Sequence, residues 1–202
     1  NIKETKRDDL LLQATGGIPV SYLDYYYFRD KKVRECKRSK LSRGEECKLI
    51  EKELLRLYSQ EDLTEKPKIL EERGGAYYST VALSLLDAIE NDKNEYHVVD
   101  VKNNGALDFM DDDDVVEVKC LINKNGATPV KVKNFDNQYI IGLMKAVKAY
   151  EKLTIKAALT GDYNAGLAAL MVHPLVGDYK KAKGVFDEML EANRAFLPQF
   201  NL

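Results

Sequence analysis

Cysteines are few in this sequence, and long apolar runs are missing from it. Its three cysteines are an odd number and form no Cys-x-x-Cys pair, which argues against a disulfide framework and against a zinc site. No apolar run approaches the ~20 residues of a membrane-spanning helix, and the first residues contain no apolar signal core. These absences predict reduced thiols at Cys36, Cys47 and Cys120 in a cytosolic protein that does not span a membrane.

Sequence motifs for nucleotides and metal ions are also missing. The sequence contains no GxGxxG, no P-loop and no HExxH motif. His97 and His173 have no Cys, Asp or Glu at ligand spacing, so we interpret both as structural. The four carboxylates at residues 111–114 lack the alternating ligands and the glycine of a calcium loop, and we expect a solvated turn there.

The charge balance gives no general attraction to polyanions. The net charge is −2, so no overall field favours nucleic acid or an anionic membrane. With 202 residues, of which 45% are hydrophobic and 32% charged, the chain has an ordinary globular composition and enough length to bury a core. It starts with Asn1 and not with an initiator methionine, from which we expect a fragment or processed piece of a longer protein.

The first half of the sequence has helical periodicity. We expect a helix from about Ser21, which follows a proline and can act as the N-cap. The charged residues 29–48 predict a frayed, solvated helix-turn region, and apolar spacing predicts a helix over residues 45–58. Residues 76–91 are apolar nearly all round, which predicts a helix in a central position.

The period then changes to that of strands and back again. Strands are predicted at residues 96–101 and 116–122, and Asn125-Gly126 indicates a tight turn with a returning strand at residues 129–132. The last third is helical up to Pro198. The predicted class is therefore α+β, with helices around a small, central, mostly antiparallel sheet.

Four segments are candidates for function. The stretch IPVSYLDYYYF at residues 18–28 has more phenols than a core needs, so one tyrosine is a candidate base and the others are packing residues. RGGAYYS at residues 73–79 is either an anion site of an arginine and two glycines at a helix start or a plain helix cap. Ser42-Arg43-Gly44-Glu45 is a similar element, for which a charged surface turn is favoured. For Asn103-Asn104-Gly105 a type I′ or II hairpin turn is favoured, and the functional alternative is an asparagine amide that bonds a sugar hydroxyl or crosses a subunit boundary.

Taken together, these segments resemble a known family. Residues 18–28, 73–79, 103–107 and 187–200 are similar to the C-terminal half of the family 4 glycoside hydrolases. The resemblance runs from about Asp9 to Phe200, and RGGAYYS favours the 6-phospho-β-glucosidases of the family. It implies a domain plan like that of the lactate and malate dehydrogenases.

The resemblance implies NAD-dependent chemistry, which is exceptional among glycosidases. In the family, NAD takes hydride from the sugar C3 hydroxyl, and a divalent metal, usually manganese, polarises the resulting ketone. A tyrosine then removes the acidified C2 proton, the C1 oxygen leaves, water adds and the hydride returns. A phenol beside a metal and a cofactor cation is suited to this role, because both favour the phenolate.

Individual roles follow from the matching positions. The family's Pro-x-x-Tyr-Leu segment corresponds to residues 19–23, which makes Tyr22 the base. A substrate-phosphate arginine in a Thr-Arg-x-Glu setting corresponds to Arg43, with serine in place of threonine and a gap longer by about one residue. The resemblance also makes Arg73 and Asn104 candidates for substrate binding, and Arg73 for positioning the tyrosine segment.

The family's Rossmann half, with its glycine-rich NAD fingerprint and its metal-binding Cys and His, is missing from the sequence. We therefore expect residues 1–202 to be a single C-terminal substrate and oligomerisation domain that folds but does not turn over substrate alone. The implied partners are a phosphorylated disaccharide or β-glucoside, the Rossmann half, and identical copies in a homodimer or homotetramer that make contact through the central strands and residues 76–91. Two alternatives stay open: a non-catalytic binding or assembly domain, and a 6-phospho-α-glucosidase or α-galactosidase relative.

Overall fold

The computed structural model describes residues 8–74 and 77–200, which divide into two compact units. The first unit takes in the described residues up to Arg29, Asp108–Asp114, and those from Val132 onward; the second takes in Asp30–Leu107 and Val115–Lys131, apart from residues 75 and 76. In chain order the elements are α1 (Asp9–Thr15), a 3₁₀ turn (Ser21–Leu23), α2 (Asp24–Tyr27), α3 (Arg29–Arg38), α4 (Arg43–Tyr58), α5 (Ile69–Arg73), α6 (Tyr78–Glu90), β1 (Glu95–Lys102), β2 (Val115–Asn123), β3 (Gly126–Pro129), α7 (Gln138–Thr160), α8 (Tyr163–Val172), α9 (Tyr179–Ala192) and two further 3₁₀ turns (Arg194–Phe196 and Pro198–Phe200).

Capping side chains set the starts of the three long helices of the first unit. The side chains of Asn137, Asp162 and Asp178 each accept a hydrogen bond from the backbone N–H three residues further on. Such caps satisfy N–H groups that have no partner inside the helix. The predicted helices of the last third are confirmed, and α7 ends at Gly161 in the left-handed conformation, with φ 69°.

Small residues allow the helices of the first unit to pack closely. A Cβ at Gly166 on α8 would lie 2.2 Å from Cζ of Phe186 on α9, so the aromatic ring rests directly on the backbone of α8. The buried residues around this contact are Ala157, Ala165, Ala169, Ala182 and Leu190. This core joins α7, α8 and α9 into one packed layer.

The second unit contains a three-stranded antiparallel sheet in the order β1-β2-β3. His97 pairs with Cys120, and Cys120 pairs with Pro129. Alternate residues of β2 are buried, and α6 packs on this strand with Ala88 fully buried. The prediction of an α+β fold with a small antiparallel sheet is confirmed.

The third strand is earlier than predicted. Asn123 pairs with Gly126, so Lys124 and Asn125 form the turn and β3 runs from Gly126 to Pro129 in place of residues 129–132. A proline has no N–H for the ladder and is suited to the end of an edge strand.

The helix predicted over residues 76–91 is shorter and is not central. Residues 75 and 76 lie outside the described part of the chain, and α6 begins at Tyr78. Tyr78 is 81% exposed and Leu83 66%, whereas Ala88 is buried. The prediction of a central position is wrong because the sheet contacts only one side of the helix.

Residues 29–48 are more ordered than predicted. They form α3, in which no residue is buried, and the first part of α4, with a short connection at residues 39–42. The predicted solvated helix-turn arrangement is present, but α3 is a regular helix through Arg38 where fraying was expected. Charge pairs such as Lys32 with Glu35 support α3 on its surface.

Candidate functional site

Tyr22 occupies the 3₁₀ turn Ser21–Leu23 of the first unit, and 78% of its surface is exposed. The residue before the turn is Val20, whose carbonyl accepts a hydrogen bond from the N–H of Leu23 at 3.0 Å. Ser21 does not act as the predicted N-cap: Val20 takes that position, and no side chain caps the turn. The phenol therefore projects from a short turn, and its position depends on the backbone around it.

The neighbouring tyrosines pack against α7. The rings of Tyr26 and Tyr27 are 5.3 Å apart, and Tyr27 stacks on Tyr139 at 6.5 Å. Burial raises the pKa of Tyr139 to about 12, and a hydrogen bond with Tyr27 acts in the same direction. Its ring contact with Tyr27 identifies Tyr139 as a packing residue. The sequence predicted a helix at Tyr139, as part of the helical last third, but gave no sign of its tyrosine neighbours.

Beside the contact of Tyr27 with Tyr139, a small pocket of about 190 Å³ lies between the tyrosine segment and α7. Its walls are mostly apolar and include Ile18, Val20, Leu23, Ile140 and Leu143. The segment has no regular secondary structure before Ser21, so at this pocket its contact with α7 is incomplete.

The backbone before the segment is tied to the first turn of α7. Nδ2 of Asn137 donates to the carbonyl of Thr15 at 2.8 Å, and Oδ1 of Asn137 accepts from the N–H of Ile140 at 3.1 Å. Gly16 has φ 65°, and a Cβ there would lie 2.6 Å from the Asn137 amide nitrogen. One side chain thus caps α7 and holds the residues that precede Tyr22.

Arg43 is the first residue of α4 in the second unit. Its Nη2 donates to the carbonyl of Glu72 at 2.6 Å and its Nη1 to Oε2 of Glu46 at 3.2 Å. The Ser42 hydroxyl and the Glu45 carboxylate form a capping box, and hydrogen bonds from the Ser42 backbone and side chain lower the pKa of Glu45. The favoured interpretation as a surface turn is wrong. Serine followed by glutamate three residues later is a known signature of a helix start.

Arg73 is the last residue of α5 and is exposed. It does not begin a helix as predicted, because α6 starts at Tyr78, and Gly74 leaves the helix with φ 91°. Arg43, the candidate for phosphate binding, donates a hydrogen bond to the carbonyl of Glu72, the residue that precedes Arg73. Arg43, Arg73 and Asn104 lie in the second unit, whereas Tyr22 lies in the first.

Asn104 lies in a turn and is exposed, with φ 42°. Gly105 also has positive φ, and the N–H of Ala106 donates to the carbonyl of Asn103 at 2.7 Å. The predicted turn is present, but it is not a hairpin turn, since β2 begins only at Val115. The fully buried amide here is that of Asn103, which bonds both the N–H and the carbonyl of Leu107. It fixes the shape of the turn.

The acidic segment is a turn, as predicted, and Asp111, Asp112 and Asp113 are exposed, but its last residue is buried. Asp114 is buried, and Nζ of Lys152 lies 2.7 Å from both Asp114 and Asp111. Burial alone would raise the pKa of Asp114, but hydrogen bonds from Lys152 and from the Asp111 backbone hold it below its ordinary value. The burial of Asp114 was not predicted because the partner lysine comes from α7, far along the chain. The ion pairs of Lys152 with Asp111 and Asp114 connect this turn to α7 and serve structure.

Neither a metal cluster nor a membrane span occurs in the described part of the chain. Within residues 8–74 and 77–200, no group of three or more His, Cys, Asp or Glu side chains is placed to hold a metal ion. In the same residues no helix combines the length and the apolar character needed to cross a bilayer.

The comparisons with known proteins agree on one family. Residues 1–176 match the model of the family 4 glycosyl hydrolase C-terminal domain. The chain is 40% identical over 204 residues to a probable 6-phospho-beta-glucosidase of Bacillus subtilis, with 99% of this chain and 46% of that protein covered. It is 35% identical over 205 residues to a 6-phospho-beta-glucosidase of Escherichia coli, with 99% and 45% covered. The chain thus spans about half the length of these relatives.

The fold is similar to that of a solved relative. The 6-phospho-beta glucosidase from Thermotoga maritima, solved with manganese, NAD+ and glucose-6-phosphate, gives a TM-score of 0.86 at 33% identity, covering 97% of this chain and 46% of that one. A 6-phospho-alpha-glucosidase of Leptotrichia buccalis is 28% identical over 197 residues, with 96% of this chain and 44% of that protein covered. The β-specific relatives are thus more similar than this α-specific one.

Proposed function

The chain belongs to the family 4 glycosyl hydrolases, as their C-terminal domain, and from this we propose that it forms part of a 6-phospho-β-glucosidase. The substrate is a phosphorylated disaccharide or β-glucoside. The observation that carries the proposal is the greater identity to β-specific relatives over nearly the whole chain, 40% and 35%, against 28% for an α-specific relative matched over 96% of it. On this proposal, residues 1–202 act together as the substrate and oligomerisation domain.

Tyr22 is the base that takes the C2 proton of the sugar onto its phenolic oxygen. Its exposure supports this role, because a general base must reach the carbon from which it removes a proton. Tyr27, which follows it in the same segment, packs on Tyr139 of α7.

Arg43 binds the substrate phosphate. A guanidinium has five N–H donors in a planar fork, which suits phosphate oxygens. Two nitrogens of Arg43 each donate to a protein oxygen, and these two contacts fix the plane of the fork while leaving further donors for an anion. Arg73 and Asn104 contribute from the same unit as weaker substrate contacts.

NAD and manganese are the proposed cofactors of the full-length enzyme, where they supply hydride transfer at C3 and polarisation of the resulting ketone. This chain matches a C-terminal domain and covers 46% of the Bacillus subtilis relative. On this basis we assign the metal and NAD contacts to the amino-terminal half of the full-length enzyme.

Assembly into a homodimer or homotetramer is part of the proposal. Tyr78, Leu83 and Leu86 expose apolar surface on α6, which supports a covering partner. The free thiols of the three cysteines support a cytoplasmic location. Light scattering of the full-length protein measures the assembly, and a monomer at high concentration contradicts it.

One experiment tests the activity. The full-length protein is incubated with NAD, manganese and an aryl 6-phospho-β-glucoside, with the α anomer as the matched substrate. We expect release of the phenol from the β anomer, and none from residues 1–202 alone. Activity on the α anomer alone would reassign the specificity, and enzymatic turnover by residues 1–202 alone would overturn the assignment of the cofactor contacts.

A further inference from the structure

We propose that Asn137 is a positioning residue for Tyr22, through its hold on the backbone at Thr15 and Gly16. The proposal rests on the function proposed for Tyr22. It goes further in naming a residue that lies 122 positions from Thr15 in the sequence and that the assignment of catalytic and binding residues leaves out.

The first step is that Tyr22 depends on its backbone for placement. Its ring is 78% exposed, and the turn that carries it is three residues long with no side-chain cap. A cavity of about 190 Å³ lies between the surrounding segment and α7. Placement of the phenolic oxygen is therefore sensitive to where the chain enters this segment.

The second step is that Asn137 fixes the entry point. It donates from Nδ2 to the carbonyl of Thr15 and accepts at Oδ1 from the N–H of Ile140, so it joins the end of α1 to the start of α7. The backbone approaches closely here: a Cβ at Gly16 would lie 2.6 Å from Asn137 Nδ2, and one at Gly17 would lie 3.0 Å from the side chain of Ile140. Gly17 is followed directly by the segment of Tyr22.

The third step is chemical. An amide offers an acceptor for the helix cap and, on a separate atom of the same side chain, a donor for a carbonyl, whereas a carboxylate offers acceptors alone. At the other caps of the first unit, Asp162 and Asp178 suffice because a cap alone needs an acceptor. Asparagine at position 137 supplies the N–H donor for its second contact, which is with the Thr15 carbonyl.

The test compares Asn137→Asp with wild type in the full-length protein. Aspartate keeps the acceptor for Ile140 N–H but sets a carboxylate against the Thr15 carbonyl. Since misplacement of a reacting group by about 1 Å can cost ~10²-fold in rate, we expect kcat to fall about tenfold or more with KM within about twofold. The deuterium isotope effect at the sugar C2 should rise, because proton removal becomes slower relative to the other steps.

Asp178→Asn is the matched control, since it exchanges carboxylate and amide at the cap of α9 and should leave kcat unchanged. The double variant with Tyr22→Phe supplies the second arm. If Asn137 acts through Tyr22, Asn137→Asp should have no further effect on kcat once the phenol is removed. An equal loss in both backgrounds, or a wild-type kcat for Asn137→Asp, would overturn the positioning role.

The outcomes separate the two proposals. A Tyr22→Phe enzyme with wild-type kcat contradicts the base assignment, and the positioning role falls with it. An inactive Tyr22→Phe enzyme beside a fully active Asn137→Asp enzyme contradicts the positioning role alone. If Asn137→Asp does not accumulate as folded protein, Asn137→Ser, which keeps a capping oxygen on a shorter side chain, is measured in the same two backgrounds and judged by the same criteria.

Discussion

Tyr22 in the first unit is positioned through its backbone, whereas Arg43 in the second unit is positioned through its side chain. Tyr22 has a free ring on a short turn, and the hydrogen bonds that place it are made by the backbone before it. Arg43 has its backbone at the capped start of a 16-residue helix, and the contacts that place it are made by its own guanidinium. A general base must hold its one reacting oxygen in an accurate position. An arginine that binds phosphate must instead present the planar set of N–H donors of its guanidinium. The position of the Tyr22 phenol is thus sensitive to remote changes of the backbone, and that of the Arg43 guanidinium to changes of the side chains around it.

The largest effect is expected from Tyr22→Phe. Loss of a positioned general base costs about 10²–10⁴-fold in rate, so kcat of the full-length enzyme should fall by that factor. The side chain is 78% exposed, so the thermal unfolding midpoint should not change.

Tyr25→Phe is the control in the same segment. It also removes a phenolic hydroxyl, and we expect kcat to stay close to wild type. A large loss in Tyr25→Phe with little loss in Tyr22→Phe would move the base to the neighbouring phenol.

A smaller effect is expected from Arg43→Ala. Because the substitution removes charge-assisted hydrogen bonds to the phosphate, we expect KM for a 6-phospho-β-glucoside to rise about ten- to a hundredfold. Titration with glucose 6-phosphate as a competitive inhibitor should show the same loss, and unphosphorylated glucose should show none. Arg56→Ala, which breaks the pair with Glu53 on the same helix, is the control. Equal losses for both variants would mean that α4 as a whole is disturbed.

Gly16→Ala tests the backbone side of the comparison. An alanine at φ 65° costs about 1–2 kcal/mol, and its Cβ would lie 2.6 Å from the Asn137 amide nitrogen. We expect a lower midpoint of unfolding and a kcat reduced several-fold, with KM for the phosphorylated substrate unchanged. A change in KM alone would contradict the separation between the two kinds of anchoring.

Local signals in the sequence predict one side of this comparison better than the other. Ser42 and Glu45 are the ends of a capping box, so the helix start that fixes Arg43 can be read from neighbouring residues. The contact between Asn137 and Thr15 joins positions 122 apart and has no such signature. Asp114 is similar: its burial depends on Lys152 from another element.

Apolar composition also has limits as a guide. Residues 78–90 have the composition of a central helix, yet within the described residues the sheet covers only the side that carries Ala88. Composition indicates that a surface needs a partner and does not indicate which one. The strand predicted at residues 116–122, in contrast, is present as part of β2, because the period of two that marks a strand is a property of the strand's own residues.

The smallest effect is expected from Glu46→Gln, which weakens one of the two contacts of the Arg43 guanidinium. The pair is exposed, with side-chain exposures of 60% and 43%, so stability should not change measurably. The bond to the Glu72 carbonyl remains, and we expect KM for the phosphorylated substrate to change only about two- to fourfold with kcat constant. Glu53→Gln removes an equivalent pair further along α4 and should have no effect on KM. A kcat loss as large as that of Asn137→Asp would show that Arg43 also depends on accurate placement, and the contrast between the two residues would then be wrong.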